Sequence, residues 1–285
     1  MSILILGATG NTGAELVRQL QANNHEFYVM ARSDTAADKL NLNVDQVRIA
    51  TFDDSDKLTQ AMQGIRKIYV AMPAHPSNED WMVNIINAAK TASVEQVVKL
   101  SGMGAAKDAN SEIIRTHVVT DDLLKNSGLG YTIVQPNSFF QNLYGSLGTI
   151  NAMGKFFLPL ANAKQSVVDI RDVAAVALTA LTQDGHTGET YLLSGPQALT
   201  FSEQAQMLSQ AAGKPIEYVA VSQDDAEQAM KQAGMDDWTA EKLAEILAWF
   251  GEGHYATVTD TVERVTSKPA RTFSAFAEEF AHAVQ

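Results

Sequence analysis

The opening thirteen residues, MSILILGATGNTG, constrain the fold of this chain more than any other stretch. Ile3, Leu4, Ile5 and Leu6 form a short all-apolar run, which suits a strand buried on both faces of a parallel sheet. Gly7, Gly10 and Gly13 follow at G-x-x-G-x-x-G spacing, and AELVRQLQANN then reads as an amphipathic helix with Leu16, Val17 and Leu20 on one face. A strand that turns through glycines straight into a helix is where a diphosphate can sit. The unpaired N–H groups of the first helical turn point outward, and the helix dipole favours negative charge. Gly7 permits the tight turn, Gly10 lets a cofactor approach the backbone, and Gly13 lets the helix pack close to the strand. No Gly-Lys-Ser/Thr follows, so the loop is not of the Walker type. The alternative is a glycine-rich turn without a ligand; the strand–turn–helix context predicts a dinucleotide site.

The rest of the first half alternates in the same way. Apolar runs at 25–31, 46–52, 67–72, 94–101 and 130–136 read as strands. Between them a helix begins near Ser55, and others span 78–92 and 111–128. Such alternation predicts an α/β fold with a Rossmann-type, doubly wound parallel sheet and ligands at the strands' carboxyl ends. Residues 167–183 then read as a helix with its lead-in and 188–195 as a strand; helices dominate from Thr200 onward. The expected organisation is a nucleotide-binding domain over 1–150, with 165–196 returning to it. A smaller, mainly helical lid domain over 197–285, joined by 151–164, would face the carboxyl edge of the sheet.

Composition narrows the partners. A formal net charge of −12, with no basic run, opposes binding to nucleic acid. No apolar run approaches the roughly 18–20 residues of a membrane span, and the start of the chain lacks the basic region of a signal peptide. The absence of cysteine excludes disulfides, thiolate chemistry and Cys-ligated zinc, which suits the cytoplasm; no metal is expected.

The strand ends carry the informative residues. Arg32 closes the second strand, where an adenosine ribose would lie. An acidic residue there would take the ribose hydroxyls of NAD, whereas arginine suits the 2′-phosphate of NADP, with Ser33 as an added donor. Asp53 ends the third strand and either accepts from the adenine amino group or caps the next helix, as Asp54 and Ser55 also could. Ala71, Met72 and Pro73 end the fourth strand and let the backbone run along the cofactor. In LSGMG the fifth strand places Ser101 near the nicotinamide, with Gly102 and Gly104 allowing close approach.

Absent motifs matter equally. Short-chain dehydrogenases usually carry a tyrosine four residues before a lysine on the helix after strand five. None of Tyr28, Tyr69, Tyr131, Tyr144, Tyr191, Tyr218 and Tyr255 has lysine at that offset, which argues against oxidation or epimerisation through a tyrosinate. There is no H-E-x-x-H and no G-x-S-x-G. Asp169 and Asp172 around Arg171 read as helix capping with a local ion pair rather than paired catalytic carboxylates. Phe139, Phe140, Tyr144, Phe156 and Phe157 form either a pocket wall or core; Trp238 and Trp249 read as packing.

ILGATGNTG, ARS after strand two, TFDD after strand three, a tyrosine-free helix with His117, YTIVQPNSFFQN and the tail TDTVERVTSKPARTFSAFAEEF together resemble the NmrA-like atypical short-chain dehydrogenases over the whole chain. The nearest branch resembles the bacterial type-2 NAD(P)H:quinone oxidoreductases and triphenylmethane reductases. That resemblance implies NADPH, with NAD possible, and reduction of a quinone-like or extended aromatic acceptor. It places the diphosphate at Gly7, Thr9, Gly10, Asn11 and Thr12, the 2′-phosphate at Arg32 and the adenine near Asp53. Pro136, Asn137, Ser138 and Phe139 would line the nicotinamide side; apart from the resemblance, His75, Phe140 and Tyr144 are the substrate-pocket candidates. His117 falls where some relatives place a histidine and the related phenylpropanoid reductases a catalytic lysine. It is expected either to donate a proton or to contact the nicotinamide ribose, with His75 as a second candidate. One departure is that Asp34, Thr35, Ala36 and Ala37 follow the arginine where relatives carry a further basic residue, leaving Lys39 late. The partner is a small-molecule electron acceptor, and the protein a monomer or homodimer. The alternative function is a redox sensor like NmrA, binding dinucleotide and signalling to a protein partner.

Overall fold

The computed structural model describes residues 2–33 and 42–285. In chain order the first elements are β1 (Ile3–Leu6), α1 (Asn11–Ala22), β2 (Phe27–Ala31), β3 (Val47–Ile49), α2 (Ser55–Ala61), β4 (Lys67–Val70), α3 (Asn78–Thr91), β5 (Gln96–Leu100), α4 (Glu112–Lys125) and β6 (Gly130–Pro136). A 3₁₀ segment (Phe140–Ser146) leads into α5 (Leu147–Met153), β7 (Lys155–Leu158), α6 (Ile170–Thr182), β8 (Glu189–Leu193) and α7 (Phe201–Ala212). The chain ends with β9 (Glu217–Ala220), α8 (Gln223–Gln232), α9 (Asp237–Gly251), α10 (Thr261–Thr266) and α11 (Phe273–Ala281). No described helix is long and apolar enough to cross a membrane.

Two compact units emerge. The first comprises 1–102, 116–135 and 170–191; the second comprises 103–115, 136–169 and 192–285. Seven strands form one sheet in the order β3-β2-β1-β4-β5-β6-β8, and β1 to β6 pair in parallel. The order reverses between β1 and β4, which makes the end of β1 the topological switch point where ligands of such sheets bind. All four residues of β1 and of β4 are buried, as strands covered by helices on both faces must be. Leu4, Leu6, Ile68, Val70, Ile85, Val97 and Ile133 join one apolar core, each side chain contributing about 1.5–3 kcal/mol by leaving water.

The second unit has its own core, with Phe140, Phe156, Phe201, Leu208, Phe273, Phe276 and Phe280 packed together. Residues 136–150, read with the nucleotide-binding domain from the sequence, pack here instead: Phe140, Leu143 and Ile150 belong to this cluster. The unit is also less purely helical than expected. β7 and β9 form a separate parallel pair that sets Phe156 opposite Tyr218. Four-residue strands whose partner lies some sixty residues away leave no periodic signature. α7 starts with a capping box, in which the Thr200 hydroxyl accepts from Glu203 N–H and the Glu203 carboxylate accepts from Thr200 N–H at 2.7 Å.

Candidate functional site

The glycine turn after β1 is built as its spacing predicts. Gly7 has φ +86°, and a Cβ there would lie 2.1 Å from the Ala71 carbonyl oxygen. A Cβ on Gly13 would lie 2.2 Å from the Gly7 carbonyl oxygen, so only glycine lets α1 sit this close to the turn. Gly10 differs. Its φ is −81°, and a Cβ would meet only the Gly7 oxygen, at 3.4 Å, an ordinary contact. The protein's own packing therefore does not demand glycine at position 10.

Gly10 is also the N-cap of α1, with no side chain capping the first turn and no acidic residue in it. By contrast Asp54, Thr200, Ser222, Asp236 and Thr272 cap their helices with side-chain oxygens. The amides at the start of α1 thus remain available to an anion. Thr9 and Asn11 are exposed beside them. Thr12 is buried, and its hydroxyl oxygen accepts from the Tyr69 hydroxyl at 3.2 Å, so its side chain belongs to the interior. Burial pushes the Tyr69 phenol up to about 12.

At the next strand ends, Arg32 is exposed and Ser33 half-buried. Asp34, Thr35, Ala36, Ala37 and Lys39 lie outside the described residues. The cap of α2 is Asp54, whose carboxylate accepts from Lys57 N–H at 3.0 Å. Asp53 instead accepts from the indole N–H of Trp81 at 2.5 Å. His75 stacks on that indole, with ring centroids 4.2 Å apart, and its Nδ1 accepts from Ser77 N–H at 3.1 Å. His75 is exposed and braces the turn into α3. Trp81 was missed because its spacing on α3 looks like ordinary core. Ala71 N–H donates to the Leu6 carbonyl at 3.0 Å, Met72 packs on the core, and the Pro73 carbonyl accepts from the Asn78 amide at 3.0 Å.

The end of β5 holds a cluster of which the sequence reading named only Ser101 and His117. Lys99 and Asp121, both almost wholly buried, form an ion pair with Nζ 2.7 Å from Oδ1. Oδ2 of the same carboxylate accepts from the Ser101 hydroxyl at 2.8 Å and from the Gln135 amide at 3.0 Å. One carboxylate on α4 therefore ties down β5, the turn after it and β6. Burial pulls the Lys99 ammonium below its ordinary pKa, and the Asp121 charge opposes that pull. The one sequence signal was a lysine inside the apolar run VVKL, which in a strand buried on both faces requires a partner.

His117 lies one turn before Asp121 on α4, half-buried, its ring against the backbone of Gly102. A Cβ on Gly102 would lie 3.0 Å from His117 Cδ2 and 3.3 Å from Nε2. Burial, reinforced by the Lys99 charge and only partly opposed by Asp121, lowers its imidazole to about 4. The ring is then neutral at neutral pH.

In the second unit, Asn137 is a brace. Its Nδ2 donates to Ser166 Oγ at 3.0 Å and to the Tyr255 carbonyl at 2.9 Å, and its Oδ1 accepts from Ser138 N–H at 2.7 Å. The Pro136 carbonyl accepts from Met103 N–H at 2.8 Å, and Ser138 Oγ accepts from the Asn142 amide at 3.0 Å. Phe139 is half-buried and bridges to Val168. Phe140 is corrected from pocket wall to core, edge-on to Phe273 at 5.3 Å. Phe156 is core as well, while Tyr144 and Phe157 are exposed. Gly104, expected to admit a ligand, has φ +73° and is approached by Tyr255, whose hydroxyl would lie 2.7 Å from a Cβ there. Asp169 and Asp172 are buried at the start of α6. Among the described residues no group of three or more His, Asp or Glu is placed to hold a metal.

Known proteins resemble this chain along nearly its whole length. Residues 7–184 match the model of a family described as NAD(P)H-binding. The chain is 39% identical over 281 residues to an NAD(P)H azoreductase of Xenophilus azovorans, covering 99% of this chain and 98% of that one. It is 27% identical over 275 residues to quinone oxidoreductase 2 of Escherichia coli, covering 95% and 96%. Among solved structures, the NADPH-dependent quinone oxidoreductase of Escherichia coli complexed with NADPH superposes with a TM-score of 0.87 at 26% identity, covering 98% and 99%. The Citrobacter triphenylmethane reductase complexed with NADP(H) shares the fold, with a TM-score of 0.81 at 23% identity over 98% and 99% of the two chains.

Proposed function

The chain belongs to the NAD(P)H-binding, NmrA-like atypical short-chain dehydrogenase/reductase family, and on that premise we propose that it transfers hydride from NADPH to a quinone-like or extended aromatic acceptor. It is an NAD(P)H-dependent oxidoreductase; the acceptor and the residues that serve it are the proposed part. The observation that carries the reading is the open amino terminus of α1, where Gly10 leaves room that the protein does not itself need. The amides of Asn11, Thr12 and Gly13, with the Thr9 and Asn11 side chains, would hold the diphosphate.

Arg32, exposed at the end of β2 and without an ion-pair partner among the described residues, would take the 2′-phosphate. Asp53, with Oδ1 engaged by Trp81, keeps Oδ2 for the adenine amino group. When bound, the nicotinamide supplies the hydride, so the protein's task is orientation and exclusion of water. A tyrosine–lysine pair is not needed for that task. His117 as a neutral ring offers one hydrogen-bond donor and one acceptor, which suits a ribose hydroxyl better than delivery of a proton. Names of relatives that are reductases favour catalysis over the sensor reading.

The test is NADPH consumption by purified protein offered a benzoquinone, an azo dye and a triphenylmethane dye in turn. Turnover with at least one is expected. Tight NADPH binding without turnover on any of the three would refute the catalytic reading.

A further inference from the structure

We propose that Asp121 is a positioning residue that sets the hydrogen-bond polarity at the ends of β5 and β6, leaving Ser101 nothing but lone pairs and turning the amide oxygen of Gln135 toward a bound ligand. The inference rests on the reading of this sheet edge as the nicotinamide side of a dinucleotide site. Its basis is the geometry around one carboxylate. As partner of the Lys99 ammonium, Asp121 is a carboxylate, and a carboxylate only accepts. Lys99 occupies Oδ1 at 2.7 Å; Ser101 and Gln135 share Oδ2 at 2.8 and 3.0 Å. Both must therefore donate.

A serine hydroxyl has one hydrogen, so once that is committed only its lone pairs remain. A glutamine amide that spends one Nε2 hydrogen on the carboxylate presents its oxygen elsewhere and keeps its second hydrogen, and Gln135 Oε1 has no partner among the described residues. The chemistry such a surface recognises is a donor: the NH₂ of a carboxamide, or a hydroxyl. A carbonyl oxygen would be refused at Ser101, since a buried acceptor facing an acceptor leaves both unsatisfied. The nicotinamide carboxamide carries both kinds of group. The inference is that its NH₂ faces Ser101 and Gln135, which fixes how the ring is turned about its glycosidic bond.

Asp121→Asn reverses this logic while conserving shape. The Lys99 ammonium retains the amide oxygen of the new side chain, which places its NH₂ where Oδ2 was. Ser101 and Gln135 must then accept from it and turn their own hydrogens outward. The experiment compares binding of NADPH with that of its reduced acetylpyridine analogue, in which a methyl group replaces the carboxamide NH₂. Both are titrated against wild-type protein and Asp121→Asn.

Wild type should prefer NADPH by roughly tenfold, and the preference should shrink to within about twofold in Asp121→Asn. If that variant does not fold, Gln135→Met, which removes one acceptor from a half-buried position, should likewise reduce the preference. Equal affinity in wild type overturns the proposal. So does a preference that survives unchanged in the variant, including a uniform weakening of both ligands, which is what a merely structural role predicts. Absence of any NADPH binding by wild type would instead overturn the dinucleotide reading, and this inference with it.

Discussion

Two strand ends of one sheet solve the same problem with opposite materials. After β1 the site is all backbone: three glycines, no capping side chain, and amides left open at the start of α1. After β5 it is all side chain: Lys99, Ser101, Asp121 and Gln135 gathered from two strands and a helix around one carboxylate. The first makes room by omission and depends on what is missing from seven consecutive residues. The second makes order by satisfaction and depends on groups that meet only once β5, α4 and β6 are packed. Such a difference predicts different modes of failure. The backbone site should fail by steric exclusion; the side-chain hub should fail by leaving a charge unpaired.

The largest effect expected is at the hub. Asp121→Leu leaves the Lys99 ammonium buried without a partner and should cost about 3–5 kcal/mol of stability by chemical denaturation. The paired replacement Lys99→Met with Asp121→Leu should recover most of that loss. A single variant costing under about 1 kcal/mol would mean that the pair is not the ionic anchor described.

Next comes Gly7→Ala, which meets the Ala71 carbonyl and a left-handed φ at once, for about 3 kcal/mol in all. Gly10→Ala, one turn on, should change stability by less than about 1 kcal/mol yet weaken NADPH binding. Comparable stability losses at both glycines would erase the distinction between a structural and a ligand-directed glycine.

The hub can also be read through its neighbour His117. Its folded-state value of about 4 lies below the ordinary 6.5, so the unfolded chain takes up a proton before the folded one does. The stabilising contribution is present above pH 6.5 and lost as the pH falls from there towards 4. Because the ring is partly exposed, that loss should be on the order of 2 kcal/mol. His117→Gln should flatten that part of the stability–pH curve, and an unchanged slope would show that the imidazole is not held neutral. The smallest effect concerns the cofactor alone. Arg32→Asp should raise the dissociation constant for NADPH about tenfold, near 1.4 kcal/mol, and that for NADH by less than threefold. A uniform change in both would move the 2′-phosphate away from this strand end.

Much of the fold was legible in advance because it rests on short-range regularities. Apolar runs at strand length separated by amphipathic stretches place β1 to β6 and their helices to within a few residues. The turn at Gly7, Gly10 and Gly13 was legible in detail, because its geometry is a property of adjacent backbone atoms. Elsewhere the reading faltered where a residue's surroundings come from afar. Phe140 looked like a pocket aromatic until Phe273 and Phe276 closed over it. Gly104 looked like space for a ligand until Tyr255 filled it.

By itself the sequence determined that this chain makes a parallel sheet entered through a glycine turn that leads straight into a helix. Each of those features is written in residues a few positions apart, whose covalent geometry limits what they can do. Only the tertiary structure decided that Lys99 and Asp121 pair, that Ser101 and Gln135 turn toward them, and that β7 finds β9. Residues 99 and 121, like 155 and 217, are too far apart along the chain for spacing to couple them. The requirement that every buried charge and backbone group find a partner brings them together.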